Sequence, residues 1–336
     1  MRALAVFGVV WHHAHPGYGS WPITEHGFLG VDLFFILSGF LITSLLLDEH
    51  SRSGTISLKH FYARRALRIF PLYFLVLGLV TAVALLRLPA SEKAAIFLSE
   101  LPYHLSYTSN WVHLDTLMSI TWSLSAEEQF YLIWPPLLVL LGTLAVPFLL
   151  VFLGLNQLVN FGTLETWLPE LRSAYVLLPM LQITFTPIVM GALVAYVLRE
   201  PAARRWLERR LPSFALGVSG VLWLVVANLE TDHRGVPRLA LHLLGAAFLI
   251  WIVLNQGHKI VQLLECRPIA HVGKVSYGVY LLHMLVIDVV VRGTVRLDWW
   301  SAELTAAAAV LGSVLLASAS YRWFEMPFLR MKHRFR

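Results

Sequence analysis

Charge is in short supply in this chain. Asp, Glu, Lys and Arg make up only 14% of its 336 residues, against 57% hydrophobic residues, and the mean hydropathy is +0.67. A soluble domain carries roughly a quarter of its residues as charges, so a soluble fold is excluded and a polytopic membrane protein is expected. Backbone that crosses lipid must satisfy its own hydrogen bonds. The expected fold class is therefore all-α, a transmembrane helix bundle.

Cysteine is scarcer still. The single Cys266 excludes an intramolecular disulfide framework and, with no CxxC or metal-ligand spacing nearby, reads as a buried bystander thiol. No metal is expected, because the two histidines of HPGYGSWPITEH (residues 15–26) have no third ligand at a recognisable spacing. A small-x-small cleavage site is missing after the first apolar run, residues 3–11, so no cleavable signal peptide is expected. With no low-complexity tract and no soluble domain after the last span, the chain is read as one integral-membrane domain over residues 1–336.

The few charges lean basic, 26 Lys and Arg against 20 Asp and Glu, for a net +6. The basic residues sit in short runs beside apolar spans, the positive-inside pattern of a membrane protein that meets anionic lipid. A nucleic-acid partner is not expected.

Long hydrophobic runs are plentiful. Spans are expected at about 2–13, 27–47, 70–88, 122–141, 143–158, 173–198, 213–228, 238–256, 273–291 and 302–322. Segment 94–112, apolar at first and then polar with a proline, is read as not crossing. The basic segments 52–68, 199–210 and 322–336 should share the cytoplasmic side, and an even number of crossings then separates each pair. Ten spans with both termini cytoplasmic follow. Trp111, Trp122, Trp134, Trp299 and Trp300 fall near span ends and read as interfacial anchors.

One stretch, residues 27–71, concentrates the unusual chemistry: GFLGVDLFFILSGFLITSLLLDEHSRSGTISLKHFYARRALRIFP. An apolar span carries Asp32 inside it and is followed at once by a basic segment. Thr55 or Ser57 can cap a short helix there, which Pro71 is expected to stop. On that helix Arg64, Arg65 and Arg68 are the polar residues. Arg65 and Arg68 are three apart and so neighbours on one surface, two forks suited to phosphate oxygens. From the residues alone, an anchor on anionic lipid is an equally physical use of them.

Ionisable residues inside spans are expensive and tend to face a bundle interior or a wet cavity. His13 lies eleven residues after Arg2, about 16 Å along a helix. At similar depth come Asp32, the Glu127–Glu128 pair and His283. Five such groups in one slab point to a shared polar cavity. A histidine beside a carboxylate is a general-base arrangement, in which the carboxylate fixes the imidazole tautomer and stabilises its protonated form. The same groups also suit a proton relay, so a proton-coupled transporter or flippase is the competing reading; no inverted repeat or pair of broken helices supports it.

Several stretches in fixed order make the chain resemble the acyltransferase 3 integral-membrane acyltransferases. They are RALAVFGVVWHHA at Arg2, the GVDLFF span with its FYxRRxxRIxP segment, WSLSAEEQFYLIWP at Trp122, SYGVYLLH at Ser276 and YRWFEMPF at Tyr321. The resemblance implies ten spans and an O-acyltransferase that takes its acyl group, acetyl above all, from cytoplasmic acyl-CoA. The acceptor it implies is a hydroxyl of an envelope glycan, a lipid-linked sugar or a small metabolite, and the setting is a bacterial plasma membrane.

The same resemblance implies roles. His13 ends the Arg-x10-His pattern and is the expected base; His12 points about 100° away on the helix and matches nothing. Arg65 and Arg68, with Arg64, would hold the donor's phosphates. Asp32, Glu127 or Glu128 would orient His13, and which of them does so stays open, as does direct transfer against a covalent acyl-enzyme. Ser276, Tyr280 and His283 would line the acceptor side. Glu325, three residues after Arg322 at a spacing that permits an ion pair, is expected to have a structural role.

Overall fold

A computed structural model describes residues 1–14, 26–87, 91–112, 114–169, 185–210, 213–229, 234–294 and 301–335. The described residues hold helices and no strand. Six helical stretches are long and apolar enough to cross a membrane: Gly27–Ser53, Leu58–Arg87, Thr121–Asn160, Gly235–Leu254, Arg267–Thr294 and Ala302–Phe335. Thr186–Arg199 and Gly217–Asn228 are shorter and apolar. Of the expected span 173–198, the first part lies outside the described residues, as does nearly all of the 15–26 stretch. Leu79, Leu86, Leu140, Val151 and Leu311 are exposed on the outside of the bundle, where a soluble protein would place charge and a bilayer would place lipid.

Twelve helices position the site. They are α1 (Arg2–Ala14), α2 (Gly30–Ser53), α3 (Leu58–Arg87), α4 (Glu92–Leu105), α5 (Thr121–Leu141), α6 (Ala145–Asn160), α7 (Thr186–Arg199), α8 (Pro201–Arg210), α9 (Ser213–Leu229), α10 (Gly235–Leu254), α11 (Arg267–Thr294) and α12 (Ala302–Ser320). The core joins α1, α2, α3, α5 and α11, around Tyr73, Tyr131, Trp134 and Leu281. Trp134 is 2% exposed and donates from Nε1 to Thr43 at 2.9 Å. It is an interior residue and not the expected interfacial anchor, because Thr43 gives its N–H an apolar-side partner.

The tightest crossing pairs α2 with α7. A Cβ at Gly39 would fall 1.8 Å from the Ile188 carbonyl oxygen, and one at Gly191 would fall 1.9 Å from that of Ile36. Each helix thus presents a bare backbone to the other, the small-residue packing that brings helices together where lipid supplies no hydrophobic drive.

Two sequence expectations are revised. Pro71 does not stop the basic helix: α3 runs unbroken through it, with Ser57 just before its start. A proline inside a helix frees one carbonyl and is tolerated when neighbours compensate. Such compensation is visible in α5, where Pro136 has no N–H for the Leu132 carbonyl and Tyr62 donates its hydroxyl there at 2.7 Å. Cys266, read as buried, is half-buried.

Segment 94–112 forms the short helix α4 followed by irregular chain joined to the start of α5. Helix α4 is 14 residues long, about 21 Å, and packs against α3, with its last turn reaching the start of α5. Glu100 accepts from the Asp115 N–H and the Thr116 hydroxyl at 2.9 and 2.6 Å, His104 meets Thr121 at 2.9 Å, and Asn110 exchanges amide hydrogen bonds with Gln129. Irregular backbone in a membrane needs protein partners, and Glu100 supplies them to Asp115 and Thr116 just before α5.

The three basic segments lie at one end of the bundle. Arg199 pairs with Asp48 at 2.6 Å, and Arg64 with Glu49 at 3.0 Å while also donating to the Phe335 carbonyl at 2.6 Å.

Candidate active site

Arginines on α1 and α3 open onto a small cavity between helices. Arg2, Arg65 and Arg68 line it from below, and Ser38, Ser123, Glu127, Ser276 and Tyr280 complete its wall. Its volume is about 70 Å³, room for a few atoms such as one phosphate or the head of a thioester, and far less than a whole cofactor needs.

The three guanidiniums are not equivalent. Arg65 is held: it lies 3.6 Å above the Tyr131 ring centroid and 3.4 Å from Glu128. Arg2 and Arg68 make no hydrogen bond or ion pair among the described residues. Two guanidiniums that face a cavity without a direct ion pair, although Glu127 shares its wall and Glu325 lies within electrostatic reach of Arg68, offer donors to an anionic oxygen. Arg64 is turned away, its guanidinium spent on Glu49 and the Phe335 carbonyl. Its expected donor-binding role is therefore not supported by its position; one residue along a helix rotates a side chain by about 100°.

Glu127 faces the same cavity. Its carboxylate accepts from the Ser38 hydroxyl and from Tyr131 at 2.6 Å. On the far wall Tyr280 bonds Ser123 at 2.6 Å and the Ile120 carbonyl at 3.0 Å. The Tyr280 ring then meets His283, 5.6 Å between centroids, and His283 meets His13 at 5.1 Å. Tyr280 thus connects the arginine-lined cavity to the histidine pair. His13 Nδ1 lies 2.9 Å from the Val9 carbonyl.

The single polar cavity expected for five ionisable groups resolves into three clusters. His13 and His283 form one, and Glu127 lines the arginine cavity while Glu128 pairs with Arg65. Asp32 belongs to neither: it bonds Arg238 at 2.9 Å and His242 at 3.3 Å on α10. Among the described residues no carboxylate contacts His13, so none of Asp32, Glu127 and Glu128 orients it as the sequence reading expected. Equal depth does not fix azimuth. Ser38, six residues after Asp32, is rotated by about 240° on α2, which is why it faces the cavity while Asp32 faces α10.

Sequence reasoning passed over Arg2 as a cavity residue and over the Arg238–His242 pair. A signal was present for the latter: an Arg and a His four apart share one helix face, and an Arg at the start of an apolar span requires a partner. No Arg322–Glu325 ion pair forms among the described residues; a π-helical turn over Tyr321–Glu325 buries the carboxylate, which accepts from Ser320 at 3.3 Å within electrostatic reach of Arg68.

Six apolar helical stretches, with an internal polar cavity walled by α1, α2, α3, α5 and α11, define an integral membrane protein with a candidate site inside the bundle. Comparison with known proteins narrows that class. The family model described as an acyltransferase domain matches residues 1–322, and the chain belongs to the acyltransferase 3 family. It is 27% identical to the O-acetyltransferase OatA of Staphylococcus aureus strain NCTC 8325 / PS 47 over 97% of this chain, and equally so to OatA of strain COL. The chain spans only 56% of the length of these relatives. No solved structure matches it.

Proposed function

We propose that the chain is an O-acyltransferase that moves an acyl group, acetyl by preference, from cytoplasmic acyl-CoA to a hydroxyl of an envelope glycan, a lipid-linked sugar or a small metabolite. The observation that carries the reading is the cavity itself. Unpaired Arg2 and Arg68 beside Arg65 offer an anion site, and Tyr280 links it to an imidazole with a free ring nitrogen. The family and the O-acetyltransferase name of its relatives support acyl transfer to oxygen.

In this reading the chain crosses a bacterial plasma membrane ten times with both termini cytoplasmic, which puts the basic segments on the side where acyl-CoA is found. Arg65 and Arg68 hold donor phosphate oxygens at the cavity, whose size admits one charged group or the acyl head at a time. His13 Nε2 takes the hydrogen of the acceptor hydroxyl as its oxygen attacks the thioester carbonyl. Positioned general-base catalysis contributes about 10²–10⁴-fold. In proteoliposomes with radiolabelled acetyl-CoA and a panel of hydroxyl acceptors, His13→Ala should therefore lose at least 100-fold in transfer while still binding donor. Full activity in that variant would remove His13 from the reaction.

A further inference from the structure

His13 and His283 are held in the same sense. Each imidazole Nδ1 faces a carbonyl of its own helix, that of Val9 for His13 and that of Tyr280 for His283. A carbonyl oxygen only accepts, so both Nδ1 atoms carry the hydrogen and both rings present Nε2 as a bare lone pair. The two rings lie 5.1 Å apart at a tilt of 55°. His283 is 0% exposed, and its Nε2 has no hydrogen-bond partner. A buried acceptor without a donor destabilises the resting protein, which points to a donor that arrives during turnover.

The described surroundings supply no other candidate. His12 stands edge-on to His13 at 5.2 Å, the Tyr280 hydroxyl is committed to Ser123 and Ile120, and Ala14, Ile287, Trp11 and Met284 form the apolar packing nearby. No carboxylate touches His13 among the described residues. An imidazolium formed there in acyl transfer would lack the counter-charge that a His–carboxylate pair provides.

We infer that His283 fills that place, as the positioning residue that shares the proton taken up by His13. This rests on the acyl-transfer reading above. The acceptor oxygen bonds the acyl carbon, and its hydrogen passes to His13 Nε2, whose new N–H is donated to the lone pair of His283 Nε2. When the tetrahedral intermediate collapses and the carbon–sulfur bond breaks, the shared proton leaves to the departing thiolate. Neither imidazole is changed over the cycle, and the positive charge is spread over two rings without a permanent negative charge in the apolar bundle.

The test uses His283→Leu and His283→Gln in the full chain in liposomes. His283→Leu should lower kcat by about 100-fold while leaving KM for acetyl-CoA and the thermal stabilisation by acetyl-CoA unchanged. His283→Gln, whose amide oxygen can accept the same hydrogen bond, should recover at least tenfold of that loss. His283→Leu within threefold of wild type, or a folded, donor-binding His283→Gln as impaired as His283→Leu, overturns the inference. Nitrogen-15 shifts of labelled histidine test the pair without any turnover: Nδ1-protonated rings at both positions are expected, and an Nε2–H tautomer at either overturns the inference. Absence of transfer by the wild-type protein would instead count against the acyltransferase reading itself, leaving the tautomer result to judge the pair.

Discussion

The Arg65 guanidinium lies over the Tyr131 ring, 3.6 Å from its centroid, so the cation that faces the cavity is held by an aromatic side chain. Lysine cannot reproduce this, since a compact ammonium neither stacks nor forks. Arg65→Lys should therefore weaken acetyl-CoA binding by about 1–2 kcal/mol, roughly 5- to 30-fold, from the loss of a desolvated cation–π contact and of a fork geometry. Isothermal titration in detergent measures it, and wild-type affinity in the variant would show that the stack is incidental.

Arg64 and Arg68 differ in what already occupies them. Removing Arg68, unpaired at the cavity, should weaken donor binding by about 1.5–3 kcal/mol, the range for a hydrogen bond to a charged group. Removing Arg64, engaged by Glu49 and Phe335, should leave donor affinity within twofold of wild type and loosen only the attachment of the C-terminal segment. The opposite ranking in a side-by-side binding assay would move the donor site to the other face of α3.

Asp32 should behave as a stability residue. Its carboxylate is 2% exposed and compensates Arg238 and His242. Asp32→Ala leaves a charge without its partner, an effect of about 3–5 kcal/mol for buried pairs. Asp32→Ala with Arg238→Met should recover much of the loss, because the two are coupled. Thermal unfolding in detergent gives the answer; a single variant as stable as wild type but catalytically dead would return Asp32 to the chemistry.

The α2–α7 crossing offers a sharper contrast. Gly39→Ala places a methyl group where the Ile188 carbonyl stands, and forcing the backbones apart should destabilise by about 1–3 kcal/mol or more. Gly78→Ala, with nothing within 4 Å of its new Cβ, should be neutral or slightly stabilising. Equal melting temperatures for the two variants would contradict the close approach.

Much of this was legible in the sequence and some was not, for a physical reason. Depth along a helix follows from counting residues at 1.5 Å each, so His13 and His283 could be placed at one level, and they meet. Azimuth follows from which faces pack, and one sequence does not say. Asp32 thus stands among three carboxylates at the depth of His13, while its partners are Arg238 and His242. Glu127 and Glu128, neighbours in sequence, bond different partners, Ser38 and Tyr131 for one and Arg65 for the other. Pro71 reads as a stop because the rule describes water-exposed helices, yet α3 runs through it. The polar second half of segment 94–112 is legible in the sequence, while its pairing with α5 depends on long-range bonds such as Asn110 with Gln129.

Donor binding is the claim on which the rest depends, and thermal stabilisation of the purified protein by acetyl-CoA measures it most directly. Ligand at 100 times its dissociation constant should stabilise the folded state by about 2.7 kcal/mol. The expected result is a concentration-dependent rise in melting temperature for wild type that is lost in Arg65→Ala with Arg68→Ala. No rise in a folded wild-type sample, or an equal rise in the double variant, would contradict an acyl-CoA site at these arginines and leave the basic helix as a lipid anchor.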